Sequence, residues 1–425
     1  MFIVKNIITN TNRNIILICK IRPILQGYFI IIVPSYRMGS EKMNYRMDFF
    51  KKTDVLLWLS TLTALGCGLL LIASMQRSGS YNYLLPQLLA AAIGLCLAVL
   101  FCLADYRYPV AKWYFPAGIG LLLTASVFVF GMRVSGTDDT AWLVLPGGLT
   151  VQPSEFIKIC FILTFSQHLA WLAEKDRLKS PLWLLTLLLH ALLPVAAIHF
   201  QGDDGTALIF LMMAPVMALA AGVQCRWLII LGSCALVSLP VLWIFVLNDA
   251  QRSRLTALLC TDGSTMTDYG WQQFQGKLSL ASGGFAGSGL FRGARVGSGI
   301  VPEQENDFIL TVAGEELGFL GCLLILFLLW FIAVRLLKGI GATDDLRGKC
   351  VCGGVFSMIA AQSVINLGME LGILPVIGVT LPLFSAGGSS LLSTLIAVGL
   401  AQSVNYHRET ELNTGKLRIP HRIRR

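Results

Sequence analysis

The chain has 425 residues, of which 55% are hydrophobic and only 13% charged, and its formal net charge is +9. Soluble proteins contain about 25% charged residues. This chain therefore has too little polar surface to cover a water-soluble globule, and a bilayer is the expected solvent. The excess of Lys and Arg is typical of the cytoplasmic loops of membrane proteins. Nucleic-acid binding is not expected, because no basic helix or aromatic–basic platform stands clear of the apolar segments.

Residues 1–46 form an N-terminal extension that mixes Asn, Lys and Arg with two short apolar stretches, at 15–18 and 29–33. The extension lacks the small-residue cleavage site of a signal peptide. Two interpretations stay open. Translation that starts near Met43 or Met47 is favoured, and a segment that lies in the membrane interface is the alternative.

Residues 47–406 are expected to form one transmembrane domain, and residues 407–425 a basic cytoplasmic tail. The domain contains ten apolar segments, each close to the roughly 20 residues with which a helix crosses the hydrocarbon core. These segments are residues 55–75, 84–104, 110–132, 153–173, 181–200, 205–222, 227–247, 308–336, 351–374 and 381–404. The predicted fold class is all-α: a polytopic membrane protein with about ten transmembrane helices and a long extracytoplasmic loop, residues 248–306, between helices seven and eight.

Basic residues orient the predicted bundle. If the N-terminus is cytoplasmic, every inner loop contains Lys or Arg, as the positive-inside rule requires. Examples are Lys51, Arg107, Lys175, Arg226 and Arg347. Both termini are then expected in the cytoplasm. The outer face of the cytoplasmic membrane is expected to carry residues 137–151, 201–204, 248–306 and 375–380.

Charged residues lie in or beside the apolar segments near the predicted outer face. Glu155 and Lys158 are spaced i,i+3, so on a helix they face each other and offset the cost of burying either charge. A structural pair and a direct role in substrate binding are both compatible with this spacing. Asp203 precedes a helix and is expected to cap it rather than to take part in chemistry. Glu370 lies within an apolar run and is a functional candidate without an identifiable partner.

The last outer segment contains Pro375 and Pro382 on either side of Gly378. This pattern predicts a helix that breaks and re-enters, which is tolerated only where the backbone lines a cavity or packs on protein. Broken helices that meet at one membrane face commonly form a ligand cavity.

The long loop combines two carboxylates, Asp262 and Asp268, with basic residues and a glycine-rich stretch, SGGFAGSG. The basic residues are Arg252, Arg254, Lys277, Arg292 and Arg295. The glycines are expected to leave backbone N–H groups open to anions. A carboxylate among cations suits a general base that activates a hydroxyl while the cations neutralise a departing phosphate or pyrophosphate. An ordinary solvated loop is the alternative. The histidines are scattered and form no zinc motif, so no metal site is predicted.

Four strings carry a resemblance to a known family: AWLVLPGGLTVQPSEFIK, DDGTAL, GWQQFQGKLSLASGG followed by NDFILTVAGEELGFLG, and NLGMELGILPVIGVTLPLFSAGGSSLL. In this order they resemble the shape, elongation, division and sporulation (SEDS) family of RodA, FtsW and SpoVE relatives, over residues 55–406. Members of this family are peptidoglycan glycosyltransferases that polymerise lipid II, a disaccharide-peptide on undecaprenyl pyrophosphate, at the outer face of the cytoplasmic membrane. A class B penicillin-binding protein usually supplies transpeptidation.

The resemblance implies roles for individual residues. Its motifs match Trp142, Glu155, Lys158, Asp203, Gln272, Lys277, Ser282, Asp307, Glu315 and Ser389, which are expected to bind substrate together with Arg252 and Arg254. The family's catalytic aspartate precedes the GWQ string, usually in an Asp-Pro pair. This chain has no such pair, and Asp262 is the nearest match, with Asp268 as runner-up. Other departures are Ala141, Gly202 and Glu305, where the family has Arg, Pro and His.

The expected function is polymerisation of lipid II for cell elongation, division or sporulation, with a class B penicillin-binding protein as partner. No cofactor is implied, although a divalent cation is compatible with a pyrophosphate substrate. Two alternatives stay open. A lipid II flippase or transporter would use the same cavity but would need polar groups deep on both faces. A non-catalytic scaffold would recruit the penicillin-binding protein, and the missing Asp-Pro pair fits that role.

Overall fold

The computed structural model describes residues 8–11, 14–20, 28–34, 45–76, 83–132, 140–144, 150–245, 247–258 and 268–413. The chain divides into two units, Met1–Phe50 and Lys51–Arg425. Asp262 and most of the predicted basic tail lie outside the described residues.

The first unit contains a three-stranded antiparallel sheet that the sequence patterns did not predict. Its strands are β1 (Ile8–Thr11), β2 (Asn14–Lys20) and β3 (Tyr28–Pro34), with β2 in the centre. The two apolar stretches of the extension pair with each other, Ile15 opposite Val33 and Ile18 opposite Ile30. They form strands because isoleucine and valine, which are β-branched, fit a pleated surface. The two interpretations of this extension stay predictions.

The second unit is helical, and each of the ten predicted apolar segments contains a helix. In chain order the helices are α1 (Tyr45–Lys52, which begins in the first unit), α2 (Val55–Met75), α3 (Leu84–Leu103), α4 (Arg107–Ala111), α5 (Tyr114–Phe130), α6 (Pro153–Glu174), α7 (Pro181–His199), α8 (Asp204–Ala220), α9 (Cys225–Phe245), α10 (Asp249–Ala257), α11 (Asp268–Ser282), α12 (Ala294–Ser298), α13 (Ile309–Ala342), α14 (Leu346–Glu370) and α15 (Gly388–Asn413). Six of these described helices, α2, α3, α6, α7, α13 and α14, are long and apolar enough to cross a membrane, and α5, α8 and α9 are shorter apolar helices. The chain therefore has the polytopic membrane fold predicted from its sequence.

The predicted break near the end of the domain is confirmed, but its bounds are wider than expected. Helix α14 ends at Glu370 and α15 begins at Gly388, whereas the apolar pattern extended the two helices to 374 and from 381. The difference arises because Pro375 and Pro382, both within this gap, lack backbone N–H donors, and because Gly372 and Leu383 have positive φ angles of 69° and 71°.

The predicted long connection between α9 and α13 is present, and it contains three helices that the sequence patterns did not predict, α10, α11 and α12. Helix α11 buries Gln273, Gln275 and Ser279. Because these buried residues are polar, the helix has no apolar periodicity to signal it.

Helix α13 is interrupted at Gly318, where φ is 66° and ψ is −160°. The glycine-rich stretch before α12 packs into this interruption. The Ser288 N–H donates to the Glu315 carbonyl at 2.9 Å, and the Phe319 N–H donates to the Gly284 carbonyl at 2.9 Å. A Cβ at Gly283 would lie 1.9 Å from the Gly314 carbonyl oxygen. These glycines thus allow two backbone segments to approach each other. The described N–H groups of residues 287–289 donate to protein carbonyl oxygens. They are therefore not open to anions, in contrast to what the sequence had suggested.

Small residues bring the helices of the core together. A Cβ at Gly399 of α15 would lie 2.3 Å from the carbonyl oxygen of Ala98 in α3, and Gly354 of α14 faces Ile162 of α6. Such small residues let membrane helices approach closely. The packing gathers the starts of α6, α8, α13 and α15 at one end of the bundle, the site end. The start of α2 and the ends of α13 and α15 lie at the other, the basic end.

Candidate functional site

Asp203 ties together the starts of α6 and α8. Its Oδ1 accepts the Thr206 N–H at 2.9 Å, which makes Asp203 the N-cap of α8. Its Oδ2 accepts from Gln152 Nε2 at 2.6 Å and from Ser154 Oγ at 3.2 Å, both at the start of α6. The capping role predicted for Asp203 is confirmed.

The Asp203 carboxyl is buried beneath these bonds, with 4% of the residue exposed. Burial raises the pKa of this carboxyl above its ordinary value of 3.8, although hydrogen bonds from Thr206 and Gln152 act in the opposite direction. The neighbouring Glu155 raises the pKa further. Loss of water around the charged form thus outweighs the hydrogen bonds.

Glu155 and Lys158 form a buried ion pair on α6, with 2.9 Å between Oε2 and Nζ. Ser393 of α15 donates its Oγ–H to Glu155 Oε2 at 2.6 Å. One turn earlier on α15, Ser389 Oγ accepts the Gln152 N–H at 3.1 Å. The predicted pairing of Glu155 and Lys158 is confirmed. The contribution of Ser393 was missed, although its i+4 spacing from Ser389 places both on one face of α15.

A second carboxylate, Glu370 at the end of α14, caps α13. Its two oxygens accept the N–H groups of Leu310 and Thr311 at 3.2 and 3.0 Å. On the same face of α14, Asn366 Nδ2 donates to the carbonyl oxygens of Asp307 and Val379, at 2.8 and 2.7 Å. Glu370 therefore has a structural partner that sequence spacing did not reveal.

The segment between α14 and α15 joins these two groups of polar residues. A Cβ at Gly205, in the first turn of α8, would lie 2.5 Å from the Ile377 carbonyl oxygen. The Ala386 N–H donates to the Glu305 carbonyl at 2.8 Å. The starts of α8, α13 and α15 thus meet around residues 371–387.

Helix α11 lies against this same segment. Gln273 Nε2 donates to the carbonyl oxygens of Met369 and Leu374, at 3.0 and 2.7 Å. Lys277, one turn later, passes over Gly372, where a Cβ would lie 2.2 Å from Lys277 Nζ. Within the described chain no carboxylate forms an ion pair with Lys277, and this side chain is exposed. Lys277 therefore presents a cation at the surface of the site end.

Helix α10 is also bound to the site end. Gln251 Nε2 donates to Asp204 Oδ2 at 2.5 Å, and His199 Nδ1 lies 2.6 Å from Asp204 Oδ1. Arg252 donates to the carbonyl oxygens of Trp243 and Ile244 at the end of α9, at 3.1 and 3.2 Å. Arg252 thus caps a helix, as a cation at a helix C-terminus does.

The remaining predicted residues fall into three groups. The backbone of Trp142, directly before β4 (Leu143–Val144), accepts the Met132 N–H at 2.9 Å, and β4 pairs with β5 (Thr150–Val151) beside the start of α6. Arg254 lies on α10 and Gln272 on α11, and Asp307 precedes the N-cap of α13. Ser282 ends α11 and donates to the Ser279 carbonyl at 2.8 Å.

Glu315 lies beneath the glycine-rich stretch instead of in the group around Asp203. Its two oxygens accept the N–H groups of Arg295 and Val296, at 2.7 and 3.0 Å. Arg295 in turn donates to Gln275 Oε1 and Ser279 Oγ at 2.6 and 2.8 Å. These bonds connect α11, α12 and α13, so the contacts of Glu315 in this structure are internal ones.

The two candidate bases lie beside these elements. Asp268 is the first residue of α11. Asp262 lies outside the described residues, but the helices on either side of it, α10 and α11, are both hydrogen-bonded to the site end.

Comparison with known proteins identifies the family. The family described as cell cycle protein, which groups FtsW, RodA and SpoVE, matches residues 17–410. The chain belongs to this family. It is 31% identical over 369 residues to the probable peptidoglycan glycosyltransferase FtsW of Trichlorobacter lovleyi, which covers 85% of this chain and 95% of the relative. It is 31% identical over 291 residues to the peptidoglycan glycosyltransferase MrdB of Escherichia coli, covering 68% and 77%.

A solved structure gives the same result. The chain superposes with a TM-score of 0.70 and 28% identity on a chain of a peptidoglycan synthase complex that coordinates polymerization and crosslinking, covering 84% of this chain and 98% of that one. The FtsW/RodA/SpoVE fold thus extends over most of the second unit.

Two departures from the usual family motifs have visible structural effects. Gly202 stands where the family usually has proline, and its φ of 90° is one that a proline ring excludes. Ala141 stands where the family usually has arginine, and it is 1% exposed. A proline could not adopt the backbone conformation of Gly202, and the side chain at Ala141 is small and buried.

Proposed function

We propose that this protein is a peptidoglycan glycosyltransferase that polymerises lipid II. One observation carries the proposal: both helices that flank Asp262 are hydrogen-bonded to the end of the bundle where the FtsW/RodA/SpoVE motif residues meet. This arrangement supports a position of Asp262 near these motif residues. The names of the relatives, peptidoglycan glycosyltransferases, agree with it.

The proposed chemistry uses one carboxylate and several cations. Asp262 accepts the proton of the acceptor 4-hydroxyl while that oxygen attacks the anomeric carbon of the donor sugar. Undecaprenyl pyrophosphate leaves, and positive charge near its phosphates stabilises the departing group. Lys277 is the best-placed cation, since it is exposed and no described carboxylate pairs with it. Arg252 and Arg254 lie on α10, and Glu155, Lys158 and Asp203 hold the starts of α6, α8 and α15 together.

The proposed orientation places the site end outside the cytoplasmic membrane and both termini in the cytoplasm. Basic residues concentrate at the opposite end, as the positive-inside rule requires. A single cysteine placed at residue 263, in a variant without other reactive cysteines, should react with an impermeant maleimide on intact spheroplasts. Labelling only after lysis would reverse this orientation.

The proposed partner is a class B penicillin-binding protein. The similar chain of known structure belongs to a synthase complex that coordinates polymerization and crosslinking. Co-purification of the two membrane proteins, and faster polymerisation when both are present, would support this pairing. A purified chain that polymerises equally well with and without the partner would limit the partner to crosslinking.

The deciding test is a gel assay of glycan polymer formed from lipid II by the purified protein with its partner. Asp262→Asn is expected to lower the rate about 10²–10⁴-fold, the usual cost of losing a general base, while insertion and thermal unfolding stay unchanged. Asp268→Asn is the matched control. If Asp268→Asn is inactive while Asp262→Asn stays active, Asp268 is the base instead.

The same assay in the presence of EDTA tests whether polymerisation needs a divalent cation. Transport of labelled lipid II without polymer formation would favour a flippase. Absence of both transport and polymerisation would favour a scaffold.

A further inference from the structure

The basic end of the bundle contains a cavity of about 380 Å³ that the proposed glycosyltransferase site does not use. It lies between the start of α2 and the ends of α13 and α15. Five basic side chains and one carboxylate line it: Lys51, Lys52, Arg335, Lys338, Arg408 and Asp54. The cavity is therefore strongly positive.

Asp54 organises one wall of this cavity. Its Oδ2 accepts from Arg335 Nε and Nη2, at 2.8 and 2.7 Å. Its backbone N–H donates to Gln402 Oε1 at 2.8 Å, and Gln402 Nε2 donates to its carbonyl at 2.7 Å. Gln402 is fully buried. Three helices are thus held together at one wall of the cavity.

The charges of the cavity do not balance. Asp54 neutralises Arg335, which leaves Lys51, Lys52, Lys338 and Arg408. Across the described ranges none of these four is within ion-pair distance of a carboxylate. Cations that converge on one concave surface repel each other and raise the local concentration of anions. An anion bound in the cavity would reduce this repulsion.

We propose that this cavity binds a phosphate-bearing anion. Lysine and arginine are the usual partners of phosphate, lysine as a point charge and arginine through its planar fork. The phosphate can come from an acidic phospholipid headgroup or from a soluble phosphate ester. The same helices carry exposed apolar side chains within two turns of the cavity residues. These are Leu56 and Leu59 on α2 and Leu337 on α13. Acyl chains would pack there, so a lipid headgroup is the source that we expect.

The test compares the purified full-length chain with the double variant Lys338→Gln, Arg408→Gln. Neither side chain has a carboxylate partner among the described residues, so the variant is expected to fold with an unchanged melting temperature in zwitterionic detergent. Lys175→Gln, Lys179→Gln removes two exposed charges elsewhere and is the matched control. Binding of phosphatidylglycerol, phosphatidylcholine and inorganic phosphate is measured by native mass spectrometry and by thermal shift.

We expect phosphatidylglycerol, and not phosphatidylcholine, to bind and stabilise the native chain and the control. Binding to the cavity variant should be about 25-fold weaker, because each basic residue near an acidic lipid surface contributes about fivefold. Stabilisation by inorganic phosphate alone, lost in the same variant, would assign the cavity to a soluble ligand. Binding of no anion, or equal binding by native chain and cavity variant, would overturn the proposal.

Discussion

The two ends of the helical bundle differ in how their charged side chains are neutralised. At the site end, the buried carboxylates of Glu155, Asp203, Glu315 and Glu370 accept bonds from helix starts, hydroxyls or Lys158. At the basic end, Asp54 pairs with Arg335, whereas Lys51, Lys52, Lys338 and Arg408 line the cavity with no described carboxylate within ion-pair distance. A charge that the protein neutralises itself supports the fold, whereas a charge left open is available to a ligand.

The site end is therefore a frame of hydrogen-bonded helix starts in which few charged side chains lack a counter-charge. Lys277 is the clearest of these. An enzyme that handles a pyrophosphate needs cations that are free to bind it and a frame that keeps them in place. The structure divides these tasks between different residues of the same motifs. Variants of buried and open charges should therefore fail in different assays.

The largest expected effect on stability is at the buried ion pair. Lys158→Met leaves the Glu155 carboxylate buried without its cation, which typically costs about 3–5 kcal/mol. The double variant Glu155→Gln, Lys158→Met removes both charges and should recover much of this loss. Thermal unfolding of the three proteins in detergent measures the effect. Equal stability of Lys158→Met and the native chain would show that the pair is not held as described.

A smaller loss is expected where a carboxylate caps a helix. Glu370→Gln keeps the side-chain shape but replaces one acceptor oxygen with a donor, so the Leu310 or Thr311 N–H loses its partner. A buried unsatisfied donor costs about 1–3 kcal/mol. The control is Glu174→Gln, which changes an exposed carboxylate and should cost much less stability. Gln362→Glu is not a suitable control because it adds a buried charge. Unfolding of both variants is compared under one condition, and equal losses would contradict the capping role.

The sequence predicted much of this fold because the decisive signal is local. A run of about 20 apolar residues indicates a membrane helix without knowledge of its neighbours, and all ten such runs contain helices. Helix α11 was missed because the residues that it buries include the polar Gln273, Gln275 and Ser279. The interruption at Gly318 was missed because it depends on the approach of Gly284, far away in the chain.

For the candidate site too, the sequence predicted local interactions but not those between distant residues. The pairing of Glu155 with Lys158 and the cap formed by Asp203 were predicted, since both are interactions within three residues. The bond from Ser393 to Glu155 spans 238 residues, and Glu370 reaches Leu310 across 60. No local pattern reveals such partners, and only the folded chain brings them together.

A pH-dependent effect is expected at Asp203, whose folded-state pKa is raised by burial above 3.8. An acid with a raised pKa binds its proton more tightly when folded, so its contribution to stability falls as pH rises from the unfolded pKa through the folded one. Asp203→Asn keeps the cap and cannot ionise. The native chain should therefore lose stability relative to this variant over that window. A native chain whose stability relative to this variant does not fall as pH rises through that window would mean that the folded protein favours the charged form.

The smallest effect on stability is expected for open cations. Lys277→Gln removes an exposed charge, so the free energy of unfolding should change by no more than about 0.5 kcal/mol. Lipid II polymerisation should nevertheless fall, because the pyrophosphate loses a cation that approaches it across Gly372. Lys175→Gln, an equally open cation at the far end of α6, is the matched control and should change neither property. If both variants polymerise lipid II at the native rate, Lys277 does not bind the leaving group, and the arginines of α10 become the first cations to replace.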